Sequence, residues 1–198
     1  VVEALGDAIV VRLRTADWWS EQAFDPLLDA LGEVFNTRYV KVIVDERKKH
    51  TPRERQELED RLDERATACG WTVPEVPWTI LENGKRFEVS VREGFSLGLF
   101  WDMRVPRFDL AQRWYGKRVA NLFAYTCGFG VVLGPHNHVV NVDVSAKYLA
   151  WGRRNYAHNG IAVPEGGFVR DDAFRFLERA ARRGERYDAV VLDPPVAS

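Results

Sequence analysis

The chain has 198 residues, with 28 basic and 29 acidic side chains and a net charge of −1, which excludes a globally basic nucleic-acid binder and leaves any such surface as a local patch. Apolar residues make up 46% and charged residues 29%, an ordinary globular composition with chain enough for one large domain or two small ones. No run approaches the roughly 20 apolar residues of a membrane span and no signal peptide is evident. The two cysteines, Cys69 and Cys127, give neither a disulfide framework nor a metal spacing, so a reduced, cytoplasmic setting without a metal is expected.

In chain order, a Gly6-Asp7 turn precedes a strand at Ala8–Leu13. Phe24, Leu27, Leu28, Leu31 and Val34 fall at helical spacing and predict an amphipathic helix over about Ser20–Phe35, stopped near Asn36. Tyr39–Val44 is a second strand. Thr51-Pro52-Arg53-Glu54 has the form of a capping box with proline at the first helical position. The charged run from Asp45 to Ala68 reads as a solvated helix, or as a phosphate-contacting patch of Arg47, Lys48, Lys49, Arg53 and Arg55. Trp78–Leu81 and Arg86–Val91 flank Asn83-Gly84, a strong short hairpin signal. Residues 1–92 therefore read as a small α+β domain of order strand, helix, strand, helix, hairpin.

Residues 93–198 carry a different grammar. A crossover containing Asp102-Met-Arg104 and Pro106 leads into a helix at about Arg107–Tyr115. Four strand-like runs follow, ending near Phe123, Asp143, Asp172 and Asp193, with helical segments between them. That alternation predicts an α/β domain with a parallel, Rossmann-type sheet whose ligand lies along the carboxyl ends of the strands. Four parallel strands leave one edge uncovered, and the C-terminal part of this domain is expected beyond residue 198.

The run Val119–Gly130 breaks into a glycine turn where a ligand can approach the backbone through Gly128 and Gly130. Asp143 closes the next run, where a carboxylate can accept hydrogen bonds from both ribose hydroxyls of an adenosine ligand; its bland alternative is a helix cap. Asp172-Ala173 ends the third run and could read an adenine amino group. Asp193-Pro-Pro195 ends the fourth, and its prolines fix a rigid, extended edge beside that acid. Gly128 and Gly130 are followed by Leu133 where a dinucleotide fingerprint needs a third small residue, which argues against NAD.

With these segments in place, the sequence resembles the class I S-adenosylmethionine-dependent methyltransferases, and within them the bacterial ribosomal large-subunit RNA cytosine-C5 methyltransferase family. The resemblance is carried by Leu81-Glu-Asn-Gly-Lys-Arg-Phe87, Leu97-Gly-Leu-Phe-Trp-Asp-Met-Arg104, Asn121-Leu-Phe-Ala-Tyr-Thr-Cys-Gly-Phe129, Val142-Asp-Val-Ser145 and Leu192-Asp-Pro-Pro195. It implies a site for S-adenosylmethionine. Phe123, Ala124, Tyr125, Thr126 and Gly128 would line the methionine and sulfonium side, and Asp143 would hold the ribose. Val144 would cover an adenine face, with Asp172 and Ala173 at the adenine edge. Asp193 and Pro194 would stand beside the methyl group, with Asp193 catalytic. Asp102 and Arg104 would close over the methionine end, Arg104 pairing with its carboxylate. RNA, specifically ribosomal RNA, is the implied partner, and a homodimer is an assembly open to it. The chain departs from the family's pattern at Cys127, which takes the place of a glycine, and at the short segment Val131–His138.

Cytosine carbon-5 needs a thiolate to add at carbon-6 before methylation. The family places that cysteine further along than residue 198, so the nucleophilic cysteine is absent from this chain. Cys127 lies at a helix start, which would lower its pKa, but in the cofactor turn; Cys69 reads as core. Val196 after the prolines disfavours adenine N6. Guanine N7, a small-molecule substrate, and a non-catalytic nucleoside- or RNA-binding module stay open. His136, His138 and His158 read as surface or loop residues, and the Trp18-Trp19 pair as core or a domain contact.

Overall fold

The computed structural model of the chain describes residues 2–5, 8–13, 21–44, 50–90 and 97–194. Gly6-Asp7, Trp18-Trp19, the basic triplet Arg47, Lys48 and Lys49, and Pro195 with Val196 lie outside the described residues. The chain divides into two compact units, 1–80 and 81–198.

In the first unit β1 (Val2–Leu5) pairs antiparallel with β2 (Ala8–Leu13), and β2 pairs in parallel with β3 (Tyr39–Val44). The crossover helix is α1 (Glu21–Val34), which follows the expected span closely. Phe24, Leu28 and Leu31 recur at helical spacing and pack on Ile9, Val11 and Leu13 and on Val40, Val42 and Val44. Each such side chain contributes roughly 1.5–3 kcal/mol by leaving water.

Helix α2 (Pro52–Ala68) carries the capping box read from sequence. Glu54 N donates to Thr51 Oγ1 at 3.3 Å, and Thr51 N donates to the Glu54 carboxylate at 2.7 Å. Buried Lys41 on β3 pairs with Asp63 of α2. Of the expected phosphate patch, Arg53 is bonded to Glu57 at 2.8 Å on the exposed helix face, as the solvated-helix reading requires.

The unit boundary falls inside β4 (Trp78–Glu82), twelve residues before the expected one at 92. The hairpin forms as read: Asn83 and Gly84 take φ of 49° and 77° between β4 and β5 (Lys85–Val89). Its second strand, however, is bound into the later unit. Asn155 Oδ1 accepts from Glu88 N at 2.8 Å, Trp151 Nε1 donates to Glu88 O at 3.1 Å, and Arg154 Nη2 donates to the Glu88 carboxylate at 2.8 Å. Local sequence signals show a hairpin but not which core holds it.

The second unit is built on a four-stranded parallel sheet of order β8-β7-β6-β9. The strands are β6 (Arg118–Leu122), β7 (His138–Asp143), β8 (Phe168–Arg170) and β9 (Ala189–Leu192). A one-turn 3-10 helix (Trp101–Met103) leads into α3 (Arg104–Arg113), which starts three residues earlier than expected, with Pro106 in its first turn where a missing N–H is harmless. The connecting helices are α4 (Gly128–Leu133), α5 (Ala146–His158) and α6 (Ala173–Arg182). Alternate strand residues face opposite ways: Ala120, Leu122, Val140 and Val142 pack with Ala173 and Phe176 of α6. Because the chain winds from β6 to β8 and then returns to place β9 on the other side of β6, the crevice of the sheet opens at the carboxyl end of β6.

Candidate functional site

A cavity of about 440 Å³ lies at that end. Its walls come from the turn after β6, the ends of β7 and β9, the start of α5 and the segment around the 3-10 helix. Of the residues anticipated from sequence, Asp102, Phe123, Ala124, Tyr125, Thr126, Gly128, Asp143, Val144, Asp193 and Pro194 line it together.

The turn owes its shape to three non-glycine residues in the left-handed region: Phe123 (φ 54°), Tyr125 (φ 50°) and Cys127 (φ 63°). Each costs about 1–3 kcal/mol, so the surroundings must hold it. They do so through several bonds. Ala124 N donates to Val142 O at 2.9 Å, Cys127 N to Ala124 O at 2.7 Å, and Asn155 Nδ2 to Thr126 O at 3.0 Å. The Thr126 hydroxyl donates to Gly98 O.

Asp143 ties this turn to the next strand. One carboxylate oxygen accepts from Tyr125 N and the other from Ser145 N, both at 2.8 Å. Each oxygen keeps a lone pair for a further donor. The cap-like bonding is thus compatible with a carboxylate that also borders the cavity. Beside it Val144 is 63% exposed, an apolar surface at the cavity edge.

Asp193 and Asp102 both border the cavity. Burial raises the Asp193 carboxyl, the charge of Asp102 raises it further, and Arg107 pulls it back in part. Tyr125 stands edge-on to Tyr148, with ring centroids 4.4 Å apart, and meets Phe100 at 5.3 Å, giving the mouth an aromatic rim.

Three anticipated residues do not line the cavity. Arg104 is the exposed first residue of α3. Asp172 is the N-cap of α6, its carboxylate accepting from Phe174 N at 3.0 Å and Arg175 N at 3.1 Å. Ala173 is packed in the core under α6. The arginine that lines the cavity is instead Arg107, one turn on, bound by Glu82 through Nε at 2.8 Å and Nη2 at 2.9 Å. Asn121 was also missed, although a lone amide within an apolar strand run was a legible signal.

Cys127 is not the activated thiol that its helix-start position suggested. It is fully buried, and burial, followed by the charge of Asp143, pushes the thiol well above its ordinary range. Cys69 is exposed rather than core, in the first unit, with its thiol also raised, by burial and its bond to Asp25. Among the described residues no group of three His, Cys, Asp or Glu side chains could hold a metal ion.

The profile of a family described as S-adenosylmethionine-dependent methyltransferase matches residues 44–198. The chain belongs to that family. Its cofactor is S-adenosylmethionine. The cavity fits such a group: an acceptor pair at Asp143, an apolar shelf at Val144 and carboxylates at Asp102 and Asp193 suit a ribose, an adenine and a cationic sulfonium. The chain is 38% identical over 136 residues to ribosomal RNA large subunit methyltransferase I of Aeromonas salmonicida, covering 68% of this chain and 34% of that protein. It is 32% identical to the protein of the same name from Shigella dysenteriae, covering 98% of this chain and 47% of that one. The crystal structure of SMU.776 complexed with SAH superposes with a TM-score of 0.73 at 22% identity, covering 98% of this chain and 47% of that chain. It shares the fold. The chain thus spans about half the length, or less, of these relatives. Among the described residues no helix is long and apolar enough to cross a membrane.

Proposed function

We propose that the carboxyl-edge cavity is the S-adenosylmethionine site of an enzyme that methylates a base of large-subunit ribosomal RNA. The observation that carries this is Asp143, held by two backbone amides with both oxygens still able to accept from a ribose. When bound, the cofactor supplies an electrophilic methyl group on a sulfonium. Asp143 fixes the ribose, Val144 covers one adenine face, and the turn Phe123–Gly128 walls the methionine side. Asp102 and Asp193 place negative charge where a sulfonium would be stabilised. Asp193, at the rigid proline edge, is the group we assign beside the transferred methyl. The names of the relatives support ribosomal RNA as the substrate.

Cytosine carbon-5 is our first assignment for the target atom, and it requires a thiolate that neither Cys69 nor Cys127 can furnish. Guanine N7 is the second reading, because N7 is nucleophilic without covalent help. Methyl transfer from labelled S-adenosylmethionine to unmodified 23S ribosomal RNA by the full-length protein, with the product nucleoside identified, tests both. 5-Methylcytidine supports the first, 7-methylguanosine the second, and no transfer leaves a binding module.

A further inference from the structure

Helix α3 carries apolar side chains on its solvent side, where a surface helix is ordinarily polar. Arg107 is buried and Leu110 and Ala111 are half-buried, which fixes its inner side. On the outer side stand Arg104, Val105 and Phe108, with Val105 74% and Phe108 49% exposed. These positions are three and four apart, so they form one continuous strip. Just before the helix, Phe100 is 45% exposed and lines the cavity, with its ring 5.3 Å from that of Tyr125. One half-exposed phenylalanine therefore stands at the cavity mouth. A second lies beyond Arg104 by four helical residues, about 6 Å of rise.

The charges along this strip are uneven. Of the arginines of α3, Arg107 is held by Glu82 at 2.8 Å and Arg113 by Asp109 at 2.7 Å. Arg104 is exposed and has no hydrogen-bond or ion-pair partner among the described residues. The nearby acids do not neutralise it: Asp109 is taken by Arg113, and Asp102 borders the cavity. An unpaired guanidinium between two open aromatic rings complements a polyanion that carries flat, apolar rings. Three side chains fall short of the 20–30 residues a side that a stable protein interface uses, whereas one phenyl ring suffices for one base.

We propose that Phe100, Arg104 and Phe108 bind an unpaired stretch of RNA. Phe100 stacks on the base that enters the cavity, Arg104 donates to a backbone phosphate, and Phe108 stacks on a neighbouring base. This rests on the RNA-methyltransferase reading above and adds the form in which that substrate is taken. A base held inside a duplex cannot present a ring atom at the bottom of a cavity, so it must leave the stack, and the two rings replace the stacking it loses.

The test is fluorescence anisotropy on the full chain with a short labelled RNA that has no self-complementarity, alone and annealed to its complement. The single strand is expected to bind about tenfold or more tighter than the duplex. Phe108→Leu keeps an apolar side chain but removes the ring, and should weaken the single strand by about fivefold to a hundredfold, the loss seen for one base–aromatic stack. Phe108→Trp should retain binding, which a merely apolar contact would not require. Phe100→Leu should weaken the RNA by a similar factor and leave S-adenosylhomocysteine affinity in calorimetry unchanged. Arg104→Gln should lower the slope of log affinity against log salt by about 0.7, the share of one phosphate contact on a single strand, and Arg104→Lys should restore it. Equal binding of strand and duplex, no binding of either, or a Phe108→Leu chain that binds as the unaltered one does overturns the strip. So does a Phe108→Leu change that abolishes self-association in sedimentation and spares RNA, which would give the face to a second copy. If S-adenosylhomocysteine does not bind while the single-strand preference holds, the cofactor reading falls and the strip stands; cofactor binding without that preference removes the strip alone.

Discussion

Each unit of this protein contains a parallel strand-helix-strand crossover, and the two are built to different ends. In β2-α1-β3 the helix has 14 residues and lays Phe24, Leu28 and Leu31 across both strands. In β6-α4-β7 the helix has only 6 residues, and the turn before it bends through three left-handed residues. The first crossover is closed by packing. The second trades helix length and backbone ease for a cavity at the strand ends, and a hydrogen bond accepted by Asp143 and bonds donated by Asn155 and Thr126 fix the turn. A parallel crossover becomes a binding site where polar bonds replace the apolar stripe that would otherwise fill the space.

The largest expected effect that separates the two is Phe24→Ala. It should cost about 3–5 kcal/mol of stability in chemical denaturation, as a large core truncation does, while S-adenosylmethionine affinity below the transition stays unchanged. A loss of affinity there would break the contrast. Asp143→Ala should do the opposite and weaken S-adenosylmethionine by about tenfold to a hundredfold in calorimetry, the magnitude of lost charge-assisted bonds. Unchanged affinity would remove the ribose assignment. Gly130→Ala should sharpen the picture by costing about 1–3 kcal/mol through overpacking against Asn141 and Tyr156, measured by urea unfolding. Thr51→Ala, a plain capping loss in the first unit, should cost about 1 kcal/mol and leave the cofactor untouched.

The smallest expected effect is on pH dependence. Burial and Asp102 raise the Asp193 carboxyl, so its negative charge is lost, as pH falls, at a higher pH than for an ordinary aspartate. Affinity for the sulfonium cofactor should weaken across that interval. Asp102→Asn removes one cause of the raised value and should move the weakening to lower pH. A pH profile that Asp102→Asn leaves in place would separate Asp193 from cofactor binding.

Much of this architecture is legible in local chemistry. The capping box at Thr51, the Asn83-Gly84 turn and the spacing of Phe24, Leu28 and Leu31 each act over a few residues, so their meaning survives without a fold. The strand-end acids were legible for a related reason, since a parallel sheet brings the carboxyl ends of successive strands to one edge. That reasoning located Asp143 and Asp193 on the cavity, whereas Asp172 does not line it and caps the helix it precedes through one carboxylate oxygen.

The sequence by itself therefore determined the element types, the parallel sheet and the edge where the cavity opens, because periodicity and turn chemistry are local. Only the tertiary structure decided that Arg107 and not Arg104 faces the cavity, and that Cys127 is sealed rather than activated. It alone decided that Asn121 turns its amide nitrogen onto Asn141. Each of those outcomes depends on a partner far along the chain: Glu82 for the arginine, the packing around the turn for the thiol, and Asn141 for the amide. Burial and hydrogen-bond direction belong to neighbours in space, and spacing in sequence does not specify which neighbours those will be.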